Sequence, residues 1–121
     1  MKGKKNLIKS FADAGSGIFA AFYGERNMLI HLTAAVVALA ASFYFHIGPM
    51  ELLLVITAIF FVFIAEMLNT SVEAVVELYM KKTHPLARTA KNVAAGAVLL
   101  AAIYSLVVAF FVFAERISGL W

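Results

Sequence analysis

The chain has 121 residues, 64% of them hydrophobic and 14% charged, with a mean hydropathy of +0.93. A soluble domain is about 45–50% apolar and about 25% charged, so this composition excludes an ordinary water-soluble globule and equally a disordered chain. With no cysteine there is no disulfide framework, thiolate zinc site or cysteine nucleophile, and the net charge of +3 is only mildly basic.

The length allows one domain, a small integral membrane unit over residues 1–121. Its first segment is amphipathic. At about 100° per residue, Leu7, Ile8, Phe11, Ile18, Phe19 and Phe22 fall within about 120° of one helical face, with Lys5, Lys9, Asp13 and Ser16 opposite. A signal peptide needs an apolar run on all sides and a small-residue cleavage site. The pattern predicts instead a helix over 4–23 lying in the membrane interface, held by apolar burial and by attraction of lysine to anionic lipid. Packing of the same helix on its own bundle is compatible with that reading.

Three longer segments follow. Met28 to Ile47 carries no charge and breaks at Gly48-Pro49, predicting a membrane helix over 28–47. Leu52 to Ala65 is uncharged and its apolar pattern runs past Glu66 to Val76, predicting a helix over 52–79. Val93 to Ala114 is uncharged, predicting a helix over 91–115. About 20 helical residues span the roughly 30 Å hydrocarbon core, so the first and third cross easily. The second crosses only if it carries Glu66 near or inside the membrane boundary. Three segments cannot close a barrel, and lipid leaves no backbone group unsatisfied. The expected fold class is therefore all-α. Gly96, within Ala94-Ala95-Gly96-Ala97, is expected to let helices approach closely.

Lys2, Lys4, Lys5, Lys9 and Arg26 precede the first span, and Lys81, Lys82, Arg88 and Lys91 lie between the second and third. Only Arg116 of the ten basic residues falls on the other side. The positive-inside rule places the N-terminus and the 78–92 connection in the cytoplasm and the C-terminus outside. Tyr44, Phe45 and Trp121 then suit the outer interface.

The second span carries Glu66, Asn69, Glu73 and Glu77, at about 0°, −60°, −20° and +20° around a helix. A carboxylate inside the membrane costs about 2.5–3.5 kcal/mol on insertion scales and faces a bundle interior or a cavity. Glu77, next to Lys81, reads equally as a solvated helix end. Glu66 is deeper, with no lysine at i+4 to neutralise it. On the same membrane side stand Lys91 and Asn92 at the start of the third span, His84-Pro85 before it, and Glu25-Arg26-Asn27 before the first. Carboxylates with asparagine are hard oxygen ligands, the preference of Mg²⁺. Such a set suits phosphoryl transfer at the cytoplasmic surface; it also suits non-enzymatic cation binding or transport. No Walker loop or protein-kinase glycine loop occurs. His31, His46 and His84 are scattered, and a lone histidine at a membrane edge is more often an interface residue than a ligand.

Glu66-Met-Leu-Asn69-Thr-Ser-Val-Glu73-Ala-Val-Val-Glu77 resembles the signature E-x-[LIVM]-N-[ST]-[SA]-[LIV]-E-x-x-V-D of the bacterial membrane diacylglycerol kinase family. The stretch from His84 through Lys91-Asn92 to Gly96 resembles that family's second block, and Glu25-Arg26-Asn27 its acidic residue before the first span. The resemblance covers essentially the whole chain. It implies ATP-dependent phosphorylation of a lipid hydroxyl in the bacterial inner membrane, by a homotrimer whose sites are shared between neighbouring subunits. The expected partners are a lipid alcohol, ATP and membrane lipids, with no nucleic acid.

Carried over by position, Glu66 resembles the general base, Glu25 and Glu73 the Mg²⁺ ligands, Asn69 a substrate-positioning partner, and Lys91 the phosphate contact. Glu77 and Asn92 stand where the family carries aspartates, on the nucleotide side of the same set. Glu77 keeps the charge on a longer arm; Asn92 keeps a hydrogen-bonding group beside Lys91 but removes a charge. Arg26-Asn27 and His84-Pro85-Leu86-Ala87 look more like the undecaprenol kinase branch than the enterobacterial diacylglycerol branch, so undecaprenol is the expected lipid and diacylglycerol the next.

Overall fold

The computed structural model describes residues 6–23, 26–79 and 84–119. Every regular element among them is helical: α1 (Leu7–Phe22), α2 (Arg26–Tyr44), α3 (Pro49–Tyr79), α4 (Pro85–Ala109), a π-helical turn at Phe110–Ala114, and α5 (Glu115–Ser118). Three helical stretches are long and apolar enough to cross a membrane: Arg26–Tyr44, Pro49–Tyr79, and Pro85–Ser118, which runs on through the π turn.

Local chemistry sets the ends. Asn6 caps α1 by accepting the Lys9 amide N–H at 2.8 Å. His84 does the same for α4, its Nδ1 accepting the Leu86 N–H at 3.1 Å with Pro85 at the first helical position. That cap lets the third stretch begin six residues before Lys91, where polarity alone would place it. Between α2 and α3 the chain turns on His46, which takes a left-handed conformation with φ 54°. The His46 N–H donates to the Phe43 carbonyl and the Ile47 N–H to the Ser42 carbonyl, at 3.3 and 3.2 Å. This is a Schellman closure. It ends α2 at Tyr44, ahead of the Gly48-Pro49 break. Gly48 then starts α3, its N–H donating to Glu51 Oε1 at 3.0 Å, half of a capping box.

Lipid offers nothing to a hydroxyl, so serine and threonine turn inward on their own helices. Thr33, Ser42, Thr57, Thr89 and Ser105 each donate to the carbonyl four residues earlier, at 2.7–3.1 Å.

Helices α3 and α4 pack along each other most extensively, with α2 against α3 and α1 against the α2–α3 pair. Between apolar helices in an apolar solvent, close contact rather than water exclusion holds the bundle, which favours small side chains. Ala21, Ala35, Ala58 and Ala65 are the buried alanines that provide it. Gly96 does not: a Cβ placed there meets nothing within 4 Å, so the expected close approach is absent from this protomer. The tightest cluster is Val55 and Ala58 of α3 with Val108, Val112 and Phe113, toward the end where α3 begins. That end is tied by Arg116, which donates to both carboxylate oxygens of Glu51 at 2.8 Å and to the Val112 carbonyl at 2.9 Å. The opposite end, where α2 and α4 start and α3 finishes, carries the polar residues.

Candidate active site

Helix α3 has 31 residues, about 46 Å at 1.5 Å per residue, well beyond the roughly 30 Å hydrocarbon core. Measured from Met50, Glu66 lies about 24 Å along the axis and Glu73 about 34 Å. One helix therefore carries two carboxylates about 10 Å apart along its axis.

Burial separates them sharply. Glu66 is 2% exposed, while Glu73 and Glu77 are exposed. Asn69, one turn from Glu66, is half-buried, and its Oδ1 is buried with no hydrogen-bond donor among the described residues. A buried amide oxygen left unpaired costs about 1–3 kcal/mol. Lys91 and Asn92, in the second turn of α4, are exposed. Among the described residues no ion pair joins Lys91 to any of the carboxylates. Glu25, the other expected metal ligand, lies outside the described residues.

The group that does reach Glu66 is His31, from the second turn of α2. Its Nε2 lies 3.6 Å from Glu66 Oε1, with the two side chains 23% and 3% exposed. A histidine 35 positions away, at the edge of an apolar run, gave no sign of this contact in the sequence; only the packing of α2 on α3 reveals it. His31 also borders a cavity of about 340 Å³ between α2, α3 and α4, otherwise lined by apolar side chains such as Ala35, Val62 and Leu106, with Ser105. His31 thus stands between the Glu66 carboxylate and the apolar space.

The set fits a divalent cation of the Mg²⁺ type. No group of three or more His, Cys, Asp and Glu side chains is gathered among the described residues. Mg²⁺ needs no such cage: one or two carboxylates with phosphate and water oxygens suffice. Glu73 is a hard oxygen donor of the required kind.

The family model described as prokaryotic diacylglycerol kinase matches residues 12–113. An undecaprenol kinase of Bacillus subtilis is 37% identical over 111 residues, covering 92% of this chain and 90% of its own. A diacylglycerol kinase of Synechocystis is 39% identical over 104 residues, covering 85% of this chain and 59% of its own. A diacylglycerol kinase of Escherichia coli K12 is 28% identical over 105 residues, covering 87% and 86%. These similarities remove the non-enzymatic cation carrier as a reading of the carboxylate stripe. With a family match over most of its length and a buried carboxylate on its central membrane helix, the chain belongs to the prokaryotic diacylglycerol kinase family of lipid kinases.

Proposed function

We propose that the protein phosphorylates a membrane lipid alcohol with MgATP at the cytoplasmic surface of the bacterial inner membrane, undecaprenol being the preferred acceptor and diacylglycerol the next. The observation that carries the reading is Glu66, a carboxylate only 2% exposed on the central membrane-length helix. The lipid choice rests on Arg26-Asn27 and His84-Pro85-Leu86-Ala87, and on the near-complete mutual coverage with the Bacillus subtilis undecaprenol kinase.

Glu66 accepts the proton of the lipid hydroxyl as its oxygen forms a bond to the γ-phosphorus of ATP. The bond from that phosphorus to the bridging β,γ-oxygen breaks, ADP leaves, and the lipid monophosphate remains. Glu73 and Glu25 would hold Mg²⁺, which when bound offsets charge on the phosphate oxygens. Lys91 meets the transferred phosphoryl, Asn69 orients the acceptor, and Asn92 and Glu77 flank the nucleotide. Glu73, Lys91 and Asn92 are all exposed in a single protomer, which supports a homotrimer whose sites are completed by a neighbouring chain. Helix α1 lies in the cytoplasmic interface; the exposure of Leu7, Ile8, Phe11 and Phe19 supports that placement.

The test is transfer of radioactive phosphate from ATP to lipid, with undecaprenol and diacylglycerol assayed in parallel at several Mg²⁺ concentrations. Labelled undecaprenyl phosphate in excess over labelled phosphatidic acid is expected. No Mg²⁺-dependent label in either lipid would overturn the reading.

A further inference from the structure

The contact between α2 and α3 assigns a role to a residue that the sequence motifs leave unused. We propose that His31 is a positioning residue for phosphoryl transfer, holding one oxygen of Glu66 so that the other faces the lipid hydroxyl. The inference rests on the reading of Glu66 as the base.

A carboxylate at 2% exposure in an apolar bundle needs a partner. Among the described residues the ionic approach made to it is that of His31 Nε2, at 3.6 Å from Oε1. The distance suits an ion pair or a loosely directed N–H, not a tight hydrogen bond. Neither oxygen of Glu66 makes a hydrogen bond among the described residues, and the His31 approach is made to Oε1. A glutamate has three side-chain torsions, and a base that samples several of them spends little time aligned with a nucleophile. An imidazole on a neighbouring helix restricts that freedom from the Oε1 side. With its proton on Nε2, His31 points a donor at the carboxylate while the ring borders the apolar cavity of about 340 Å³. The same side chain therefore faces both the base and apolar space able to receive hydrocarbon.

The experiment uses the full-length protein in lipid–detergent micelles, with MgATP and undecaprenol varied in turn. His31→Ala should lower kcat by about 10–100-fold, the range a misaligned catalytic group produces, with KM for MgATP unchanged. His31→Gln, whose amide nitrogen can reach the Nε2 position, should recover most of the loss. His31→Asn, whose amide reaches only the Nδ1 position, should not. Combined with Glu66→Gln, His31→Ala should add no further loss. Normal kcat in His31→Ala beside an inactive Glu66→Gln overturns the role of His31 and leaves the base in place. Equal rates for the Gln and Asn variants also overturn it, and that comparison decides the matter if His31→Ala fails to fold. Normal turnover in Glu66→Gln sinks the base itself, a different failure.

Discussion

The carboxylates of α3 differ in what water can do for them. Glu73 is exposed, so it carries its charge without help and is free to share a cation with ATP phosphates. Replacing it with Gln removes one charge at constant size. The Mg²⁺ concentration for half-maximal rate should rise by about tenfold, equivalent to roughly 1.4 kcal/mol, while the protein stays folded. A Mg²⁺ titration of lipid phosphorylation checks this, and an unchanged midpoint removes Glu73 from the metal site. Glu66 cannot rely on water and stands against His31 instead. The spacing of Glu66, Asn69, Glu73 and Glu77 was legible in the sequence because helical periodicity alone places them on one face. His31 was not, because a histidine has no periodic signature and its partner is 35 residues away. Glu25 falls outside the described residues, so its place beside Glu73 rests on the motif.

At the scale of elements, the lengths of the helices matter more than their hydrophobicity. Helix α3 is longer than the hydrocarbon core requires, so one rigid element carries both a buried carboxylate and an exposed one. Its start is fixed by a turn that depends on His46 at φ 54°. A side chain branched at Cβ resists that conformation, at a cost of about 1–2 kcal/mol. His46→Val should therefore lower the thermal midpoint, while His46→Gly should hold or raise it. Thermal unfolding followed by circular dichroism in detergent separates the two, and a Val variant as stable as the parent contradicts the Schellman account. Sequence pattern located this break to within a few residues through Gly48-Pro49. It did not identify the left-handed residue, because histidine is not the usual occupant. It also anticipated a close approach at Gly96 that this protomer does not show, and missed the Glu51–Arg116 pair, which joins residues 65 apart.

Across the whole molecule, three membrane-length helices and two basic clusters define a direction. Nine of the ten lysines and arginines fall in these clusters: four lysines before α2, Arg26 at its first residue, Lys81 and Lys82 between α3 and α4, and Arg88 and Lys91 in the first two turns of α4. A reporter fused after residue 121 should read as extracytoplasmic, and one inserted in the 80–83 connection as cytoplasmic. Opposite readings at both points would deny the site access to cytosolic ATP. That three apolar stretches form a helical bundle follows from composition and length, since lipid permits little else. The packing that brings α2 against Glu66 does not, because apolar faces in lipid carry no pattern to say which neighbour they meet. In the proposed mechanism the buried Glu66 carboxylate draws the proton from a lipid hydroxyl. The most direct test is the rate of phosphate transfer from MgATP to lipid by Glu66→Gln, measured on protein shown to be folded and to bind MgATP. The account predicts unchanged nucleotide binding and a rate lower by about 10²–10⁴-fold; turnover within a few-fold of the parent would contradict it.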